Sequence, residues 1–382
     1  MPRYVIDERA LRRNLETLKG VSDKTGAKIL LAQKAFSCAA VYPLCAKCLA
    51  GTTASSLFEA RHGHDNFGGE THVFAPAFAP EEIDELLGLV DHIVFNSPRQ
   101  VAKFGERARA RGVSVGLRVN PEVSVATTPA YDPCRPGSRL GTTRAALDES
   151  GLFLAAENAE VDGLHFHCLC EQGVDELRKV LAGFEERFGD LLPWMEWVNF
   201  GGGHHITREG YDVDGLVALV NDFRARHPRL EVYLEPGEAV ALNAGTLESR
   251  VLEIQPTGAD GVANAILDVS AACHMPDVLE MPYTPRVTGA RVVSAPDDAR
   301  NGRFVYRFGG PTCLAGDEIG VYAFDHPLAE GDEVVFEDMA IYSMVKNNTF
   351  NGVCLPDIAV RRESGAVETI RTFGYDDFAS RL

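Results

Sequence analysis

Several short stretches of this sequence hold residue types that could do covalent or acid–base chemistry. Lys34 closes the apolar run Ile29-Leu30-Leu31-Ala32-Gln33-Lys34. Most lysines lie on solvated surfaces. One that follows an apolar strand points into a low-dielectric mouth, where desolvation lowers its pKa and frees the amine to attack a carbonyl. Asn199-Phe200-Gly201-Gly202-Gly203-His204 sets three glycines together. They either bring backbone N–H groups against a phosphate or make a plain tight turn. The spaced glycine fingerprint of dinucleotide-binding folds is absent, as is its first-strand position. Glu235-Pro236-Gly237-Glu238 places two carboxylates three residues apart, as site groups or as solvated turn acids.

His165-Phe166-His167-Cys168-Leu169-Cys170 alternates so that both imidazoles fall on one face, which raises a zinc reading. Cys45 and Cys48 form one C-x-x-C, but no second pair has suitable spacing, and two cysteines one helical turn apart serve a core equally well. No metal is expected. Further on, Gly310-Pro311-Thr312-Cys313-Leu314-Ala315-Gly316-Asp317 exposes a thiol on a turn, and Tyr342 opens a polar stretch running to Gly352. Cys313 is either a proton donor or a small buried hydrophobe.

These groups need elements to hold them. Short apolar runs at Lys28–Lys34, Gly51–Ser55, Thr71–Ala75, His92–Asn96, Ser114–Asn120, Gly163–Cys168, Trp197–Phe200 and Glu231–Glu235 read as strands. Helix-like segments lie between most of them: Pro80–Leu87, Pro98–Arg111, Thr142–Asn158, Gly173–Phe188 and Asp212–His227, several opening on Pro or a capping residue. Alternation of this kind over about 230 residues predicts a (β/α)8 barrel, with an open doubly wound sheet as the alternative. In a barrel, Lys34, His167, Gly201–Gly203 and Glu235 all fall at the C-terminal ends of strands, where catalytic groups gather. The connection from Pro121 to Gly141 carries four prolines and is long enough to be a functional loop, often a lid.

After about Leu242, strands at Leu247–Ile254, Ala265–Val269, Arg303–Phe308 and Glu333–Phe336 follow one another across Gly-containing turns such as Gly309-Gly310-Pro311 and Glu330-Gly331-Asp332. The expected organisation is an α/β barrel over 8–240 and an all-β domain over 241–382, with 1–7 available to add a strand.

Composition narrows the function classes. The 382 residues carry 37 basic and 55 acidic side chains, a formal charge of −18, which repels phosphate backbones and argues against nucleic acid as a partner. No apolar run approaches ~18 residues, so no membrane span is expected. Met1-Pro-Arg-Tyr-Val-Ile-Asp-Glu-Arg lacks a signal-peptide layout, and nine scattered cysteines do not form a disulfide framework. A reduced, cytoplasmic protein is expected.

In order along the chain, the motifs resemble those of the fold-type III pyridoxal-phosphate decarboxylases, the ornithine and diaminopimelate decarboxylase group with an alanine-racemase-like barrel. Within that group, Gln33-Lys34-Ala35-Phe36-Ser37, His165 through Glu171, Leu234-Glu235-Pro236-Gly237-Glu238 and Ala271-Ala272-Cys273-His274-Met275-Pro276-Asp277 are similar to the carboxynorspermidine/carboxyspermidine decarboxylases. The resemblance implies pyridoxal 5'-phosphate as cofactor, held covalently by Lys34, stacked on by His167 and contacted at its ring nitrogen by Glu235. It implies that Gly201, Gly202 and Gly203 cradle the phosphate, that Tyr342 adds a hydroxyl to it, and that Cys313 returns a proton after CO2 leaves. It further implies a homodimer whose active sites are shared across the interface.

Two departures from the wider group bear on substrate. The ornithine and diaminopimelate enzymes usually have an arginine where this chain has Glu238, and an acid where it has Leu314. An anion in place of a cation suits a carboxylated triamine better than the distal carboxylate of diaminopimelate. Glu238, Asp277 and Asp317, with His274 nearby, are therefore expected to bind substrate. The usual phosphate-binding serine has no counterpart, since Cys170 stands there. Diaminopimelate decarboxylation is the alternative reaction. Racemisation is disfavoured by Glu235, and a non-catalytic regulatory relative by the presence of both Lys34 and Cys313.

Overall fold

The computed structural model describes residues 1–152, 160–258, 260–294 and 304–382. The chain divides into two units, Arg13–Val240 and a second made of Met1–Arg12 with Ala241–Leu382. Strand β1 (Arg3–Asp7) belongs to the second. The next eight strands form the first: β2 (Lys28–Ala32), β3 (Gly51–Ala54), β4 (Glu70–Phe74), β5 (His92–Phe95), β6 (Ser114–Arg118), β7 (Gly163–His165), β8 (Trp197–Asn199) and β9 (Glu231–Leu234). They pair in chain order, all parallel, and β9 returns to β2 to close the barrel. Such strands are covered on both faces, which is why their sequences read as unbroken apolar runs. Each strand ends one to three residues before the run that announced it, so Lys34, His167 and Glu235 lie just beyond the sheet.

The helices start where capping chemistry directs. Ser97 accepts from the Gln100 N–H, and Pro98 occupies the first turn of Pro98–Arg109, where an N–H has no intrahelical partner. Asp212 caps Val213–Arg226 in the same way. The expected helix Pro80–Leu87 contracts to Ile83–Leu86. That over Thr142–Asn158 is Arg144–Ser150, stopped by Gly151 at φ 69°, and residues 153–158 lie outside the described residues. Cys45 ends the four-residue helix Tyr42–Cys45, with Cys48 in the turn beyond; burial raises the Cys45 thiol to about 12.

Leu30, Val94, Trp197 and Tyr233 pack together inside the barrel. The indole of Trp197 needs glycine neighbours. A Cβ on Gly163 would stand 2.1 Å from a Trp197 ring carbon, and one on Gly116 2.4 Å. Gly163→Ala is therefore expected to cost about 3 kcal/mol, at the upper end of overpacking penalties, read as a lower denaturant midpoint at unchanged slope.

Beside this layer Lys28 pairs with Glu70 and Glu231, and His72 Nε2 stands 2.9 Å from Glu70 Oε2. Glu70, His72 and His92 have the residue types of a cation site. However, His72 and His92 stack with planes 8° apart at 4.0 Å, so their in-plane lone pairs run parallel and do not converge on one ion. Lys28 is the cation of this cluster.

The second unit carries a nine-stranded sheet built from β1, β10 (Gly245–Gln255), β11 (Ala263–Leu267), β12 (Ala290–Val292), β13 (Phe304–Gly309), β14 (Glu318–Phe324), β15 (Glu333–Glu337), β16 (Asp357–Arg361) and β17 (Val367–Arg371). Its order is β12-β14-β13-β11-β10-β1-β16-β17, with β15 also on β10. Pairing is antiparallel except at β1–β16 and β11–β13. The β-rich texture after Leu242 is thus a real sheet. Short helices such as Ala271–His274 and Tyr375–Ala379 interrupt it. Arg303, the first residue of one expected strand, lies outside the described residues. Among the described residues no helix is long and apolar enough to cross a membrane.

Candidate active site

Lys34, two residues past β2, sits in a turn where the Ala35 N–H donates to the Ala32 carbonyl at 3.2 Å. Its side chain is exposed, but into a cavity at the barrel mouth that Thr53, Phe74, Arg118, His165, His167, Gly202 and Glu235 also line. Enclosure by protein lowers the lysine pKa, the Arg118 charge lowers it further, and Glu235 only partly opposes them. Lys34, His167, Gly202 and Glu235, far apart in sequence, thus share one cavity.

Glu235 follows β9 directly, and its N–H donates to the Gly201 carbonyl at 2.8 Å. Both carboxylate oxygens are engaged. Asn199 Nδ2 donates to Oε1 at 2.8 Å, and His165 Nε2 lies 3.2 Å from Oε2. Burial alone would raise this carboxyl; His165, His72 and Asn199 outweigh it and hold the group at about 2. It is ionised throughout the neutral range.

His167 is fixed from two sides. Its Nδ1 accepts the Gly202 N–H at 2.8 Å, and its carbonyl accepts Arg118 Nη2 at 3.1 Å. Burial, then the charges of Lys34 and Arg118, push its pKa well down, so the ring is neutral and offers an apolar face. Arg118 itself lies 4.4 Å over the Phe74 ring. Neither Arg118 nor the engagement of His165 and Asn199 with Glu235 follows from the motif readings above. The available signal for Arg118 is the one used for Lys34, a basic residue ending a buried strand.

The glycine triplet has a packing job first. A Cβ on Gly202 would lie 2.4 Å from the Glu235 carbonyl oxygen, and one on Gly203 2.1 Å from that of Leu169. Gly201 and Gly203 also hold φ of 69° and 82°, a region glycine enters without strain. The Gly201 N–H donates to Asn199 Oδ1 at 2.8 Å and the Gly202 N–H to His167. Two of the three N–H groups expected at a phosphate are therefore already engaged within the chain.

Glu238 starts the short helix Glu238–Ala241 and faces His205, whose Nε2 is 3.4 Å from Oε1; it is not among the residues lining the Lys34 cavity. The 121–141 loop is tied down, with Asp132 accepting from the Ser124 hydroxyl and the Cys134 N–H, and Gln172 Nε2 donating to the Val125 carbonyl at 2.8 Å.

In the sheet unit, Cys313 is exposed and its N–H donates to Asn351 Oδ1 at 2.8 Å. The substrate contact expected of Asp317 meets a competing use. Asp317 is buried, its Oδ1 accepts from the Ser270 hydroxyl at 2.8 Å and the Ala272 N–H at 3.2 Å, and its Oδ2 accepts from the Thr312 hydroxyl at 2.7 Å. It ties the Cys313 turn to the 270–272 segment. His274 is fully buried, with Nδ1 accepting the Ser270 N–H at 3.1 Å, and burial lowers its pKa to about 4. Asp277 pairs with Lys346, which also pairs with Glu280. Tyr342 is half-buried at φ 46°.

A family model described as pyridoxal-dependent decarboxylase, C-terminal sheet domain, matches residues 3–340. The chain belongs to this family. Along its whole length this pyridoxal-dependent decarboxylase is 43% identical to the carboxyaminopropylagmatine decarboxylase of Synechocystis sp., covering 95% of that protein. It is 42% identical to the carboxynorspermidine/carboxyspermidine decarboxylase of Campylobacter jejuni, covering 98% of it. The crystal structure of carboxynorspermidine decarboxylase from Campylobacter jejuni, complexed with norspermidine, superposes with a TM-score of 0.91 at 42% identity, over all of both chains.

The barrel mouth fits the pyridoxal group that the family description implies. It offers an amine of lowered pKa, an ionised carboxylate and a neutral ring on one cavity. Among the described residues that line this cavity, Lys34 carries the only primary amine.

Proposed function

We propose that this decarboxylase removes CO2 from carboxynorspermidine, carboxyspermidine or both, releasing norspermidine or spermidine in polyamine biosynthesis. The observation that carries the reading is the convergence of Lys34, Glu235 and His167 on one cavity, with Glu238 three residues further on. The likeness to the Campylobacter jejuni sequence and to the Campylobacter jejuni crystal structure supports it. Bound pyridoxal 5'-phosphate supplies an electron sink for the pair left when the C–CO2 bond breaks.

The chain's own residues do the rest. Lys34 would hold the cofactor covalently. Glu235 would keep a proton on the ring nitrogen, His167 would stack on the ring, and the Gly201–Gly203 turn and Tyr342 would contact the phosphate. Because the Gly201 and Gly202 N–H groups are engaged elsewhere, Gly203 is the glycine of the triplet left for that contact. Cys313 donates its thiol proton to the carbon that lost CO2, and solvent reprotonates the sulfur. Its exposure on the sheet unit supports delivery to a partner's site in a homodimer. The nine cysteines, all in thiol form, support a reducing cytoplasm as the working compartment.

Glu238 and Asp277 are assigned to the distal ammonium groups, with His274 and Asp317 shaping the segments around them. Glu238→Arg removes a charge-assisted contact worth about 1.5–3 kcal/mol, so KM for the carboxylated triamines is expected to rise about 10- to 100-fold with kcat nearly unchanged. Steady-state kinetics check this. The reaction itself is tested by supplying carboxynorspermidine, carboxyspermidine, carboxyaminopropylagmatine and diaminopimelate together and identifying products. Norspermidine or spermidine is expected as the major product, and preferential turnover of diaminopimelate overturns the assignment.

A further inference from the structure

The carboxylate of Glu235 is held by two donors from neighbouring strand ends, and they are not equivalent. Asn199 is constrained on both sides of its amide. Its Oδ1 accepts the Gly201 N–H, which leaves Nδ2 for Glu235 Oε1. His165 is constrained differently. It is 1% exposed, its Nε2 faces Glu235 Oε2, and its Nδ1 is buried with no hydrogen-bond partner among the described residues. Its ring lies 5.6 Å from that of Phe74 at 25°.

An ionised carboxylate requires a donor, so the His165 proton belongs on Nε2. A second proton on Nδ1 would bury an N–H without an acceptor. Burial of the ring acts in the same direction and outweighs the pull of Glu235. Burial lowers its pKa, Glu235 pulls it up, and Arg118 and Lys34 push it down again, with a net lowering. A neutral donor orients the carboxylate yet leaves its whole charge in place. An imidazolium would form a neutral pair with Glu235 and weaken its hold on a proton at a third atom.

We propose that His165 is a positioning residue for Glu235, a neutral Nε2–H donor that fixes the carboxylate's direction without cancelling its charge. This rests on Glu235 as the contact to the cofactor's ring nitrogen. It gives the two histidines of the His165-Phe166-His167 motif separate duties, His165 toward the carboxylate and His167 toward the ring face.

The test uses cofactor-loaded protein labelled with 15N in its histidines, the His165 signals being identified by their loss in His165→Gln. One protonated Nε2 and one bare Nδ1 are expected from pH 6 to 8. An imidazolium at pH 7, or a proton on Nδ1, overturns the proposal. Kinetics form the second arm. His165→Gln keeps an N–H donor and should lose less than about fivefold in kcat, whereas His165→Phe should lose about 10- to 100-fold with little change in KM, the range typical of lost supporting hydrogen bonds. Equal losses in both variants would show a packing role only and overturn it. If the phenylalanine variant does not fold, the tautomer measurement decides alone. Failure of the Glu235 assignment is separately visible as undiminished turnover by Glu235→Gln.

Discussion

Lys34→Ala is expected to lower kcat by about 1,000-fold or more, the range lost with a group that serves both as covalent anchor and as acid–base catalyst. The same variant should lose the visible absorption that marks a cofactor held through an amine. No neighbour can replace Lys34, because no other described residue lining the cavity carries a primary amine; Arg118 has a guanidinium that stays protonated. The pKa direction sharpens the expectation. With its pKa lowered, the Lys34 amine is in its reactive neutral form at a lower pH than a free lysine. An added small primary amine should therefore restore part of the activity. Folding should be unaffected, since the side chain projects into the cavity and is not packed in the core. Circular dichroism and thermal melts separate a folded, silent variant from an unfolded one. A Lys34→Ala protein that keeps both absorption and activity would remove the basis of the mechanism.

What made Lys34 legible in the sequence is a physical regularity, not a motif alone. Parallel strands buried on both faces produce continuous apolar runs, and the chain beyond each run falls at the barrel mouth. Lys34, His167 and Glu235 each sit one or two residues past such a strand. The same alternation predicts eight parallel strands, and the structure closes them into a barrel. What the sequence leaves hidden is pairing across strands. His165 meets Glu235 from 70 residues away, and Asn199 meets it from 36. Those contacts depend on barrel closure and register, which no local pattern encodes.

Asp317 shows how an intramolecular use can hide from the sequence. A carboxylate near a reactive thiol looks like a ligand until its oxygens are found holding Ser270, Ala272 and Thr312. The sheet unit was harder to read for its own reasons. Strand β12 is three residues long, β17 is exposed at every position and so shows no alternation, and β1 pairs with β16 across nearly the whole chain. Clear apolar patterning marked β10, β11, β13 and β15, and short or solvent-facing strands carry little of it.

Glu235→Gln should cost about 100- to 1,000-fold in kcat, equivalent to about 3–4 kcal/mol of transition-state stabilisation, with KM within a few-fold of the parent. The substitution keeps size and shape and removes only charge. An ionised carboxylate favours a proton on the atom it faces, and so stabilises negative charge developing on the substrate carbon as CO2 departs; an amide does this far less. The hydrogen-bonding partners can adapt without loss of the fold. The glutamine oxygen can accept from Asn199 Nδ2, whose direction is set by the Gly201 N–H. The glutamine NH2 group then faces His165, which must move its proton to Nδ1 so that Nε2 can accept. That buries a lone N–H at a site where Nδ1 has no partner among the described residues, so a modest fall in melting temperature accompanies the kinetic loss. The 15N signals of His165 in this variant should thus reverse their protonated and bare nitrogens relative to the parent. Unchanged kcat would show that the charge of Glu235 does not act on the reaction. Loss of kcat with unreversed His165 signals would show that the amide is oriented the other way, with its oxygen on His165 and Asn199 displaced.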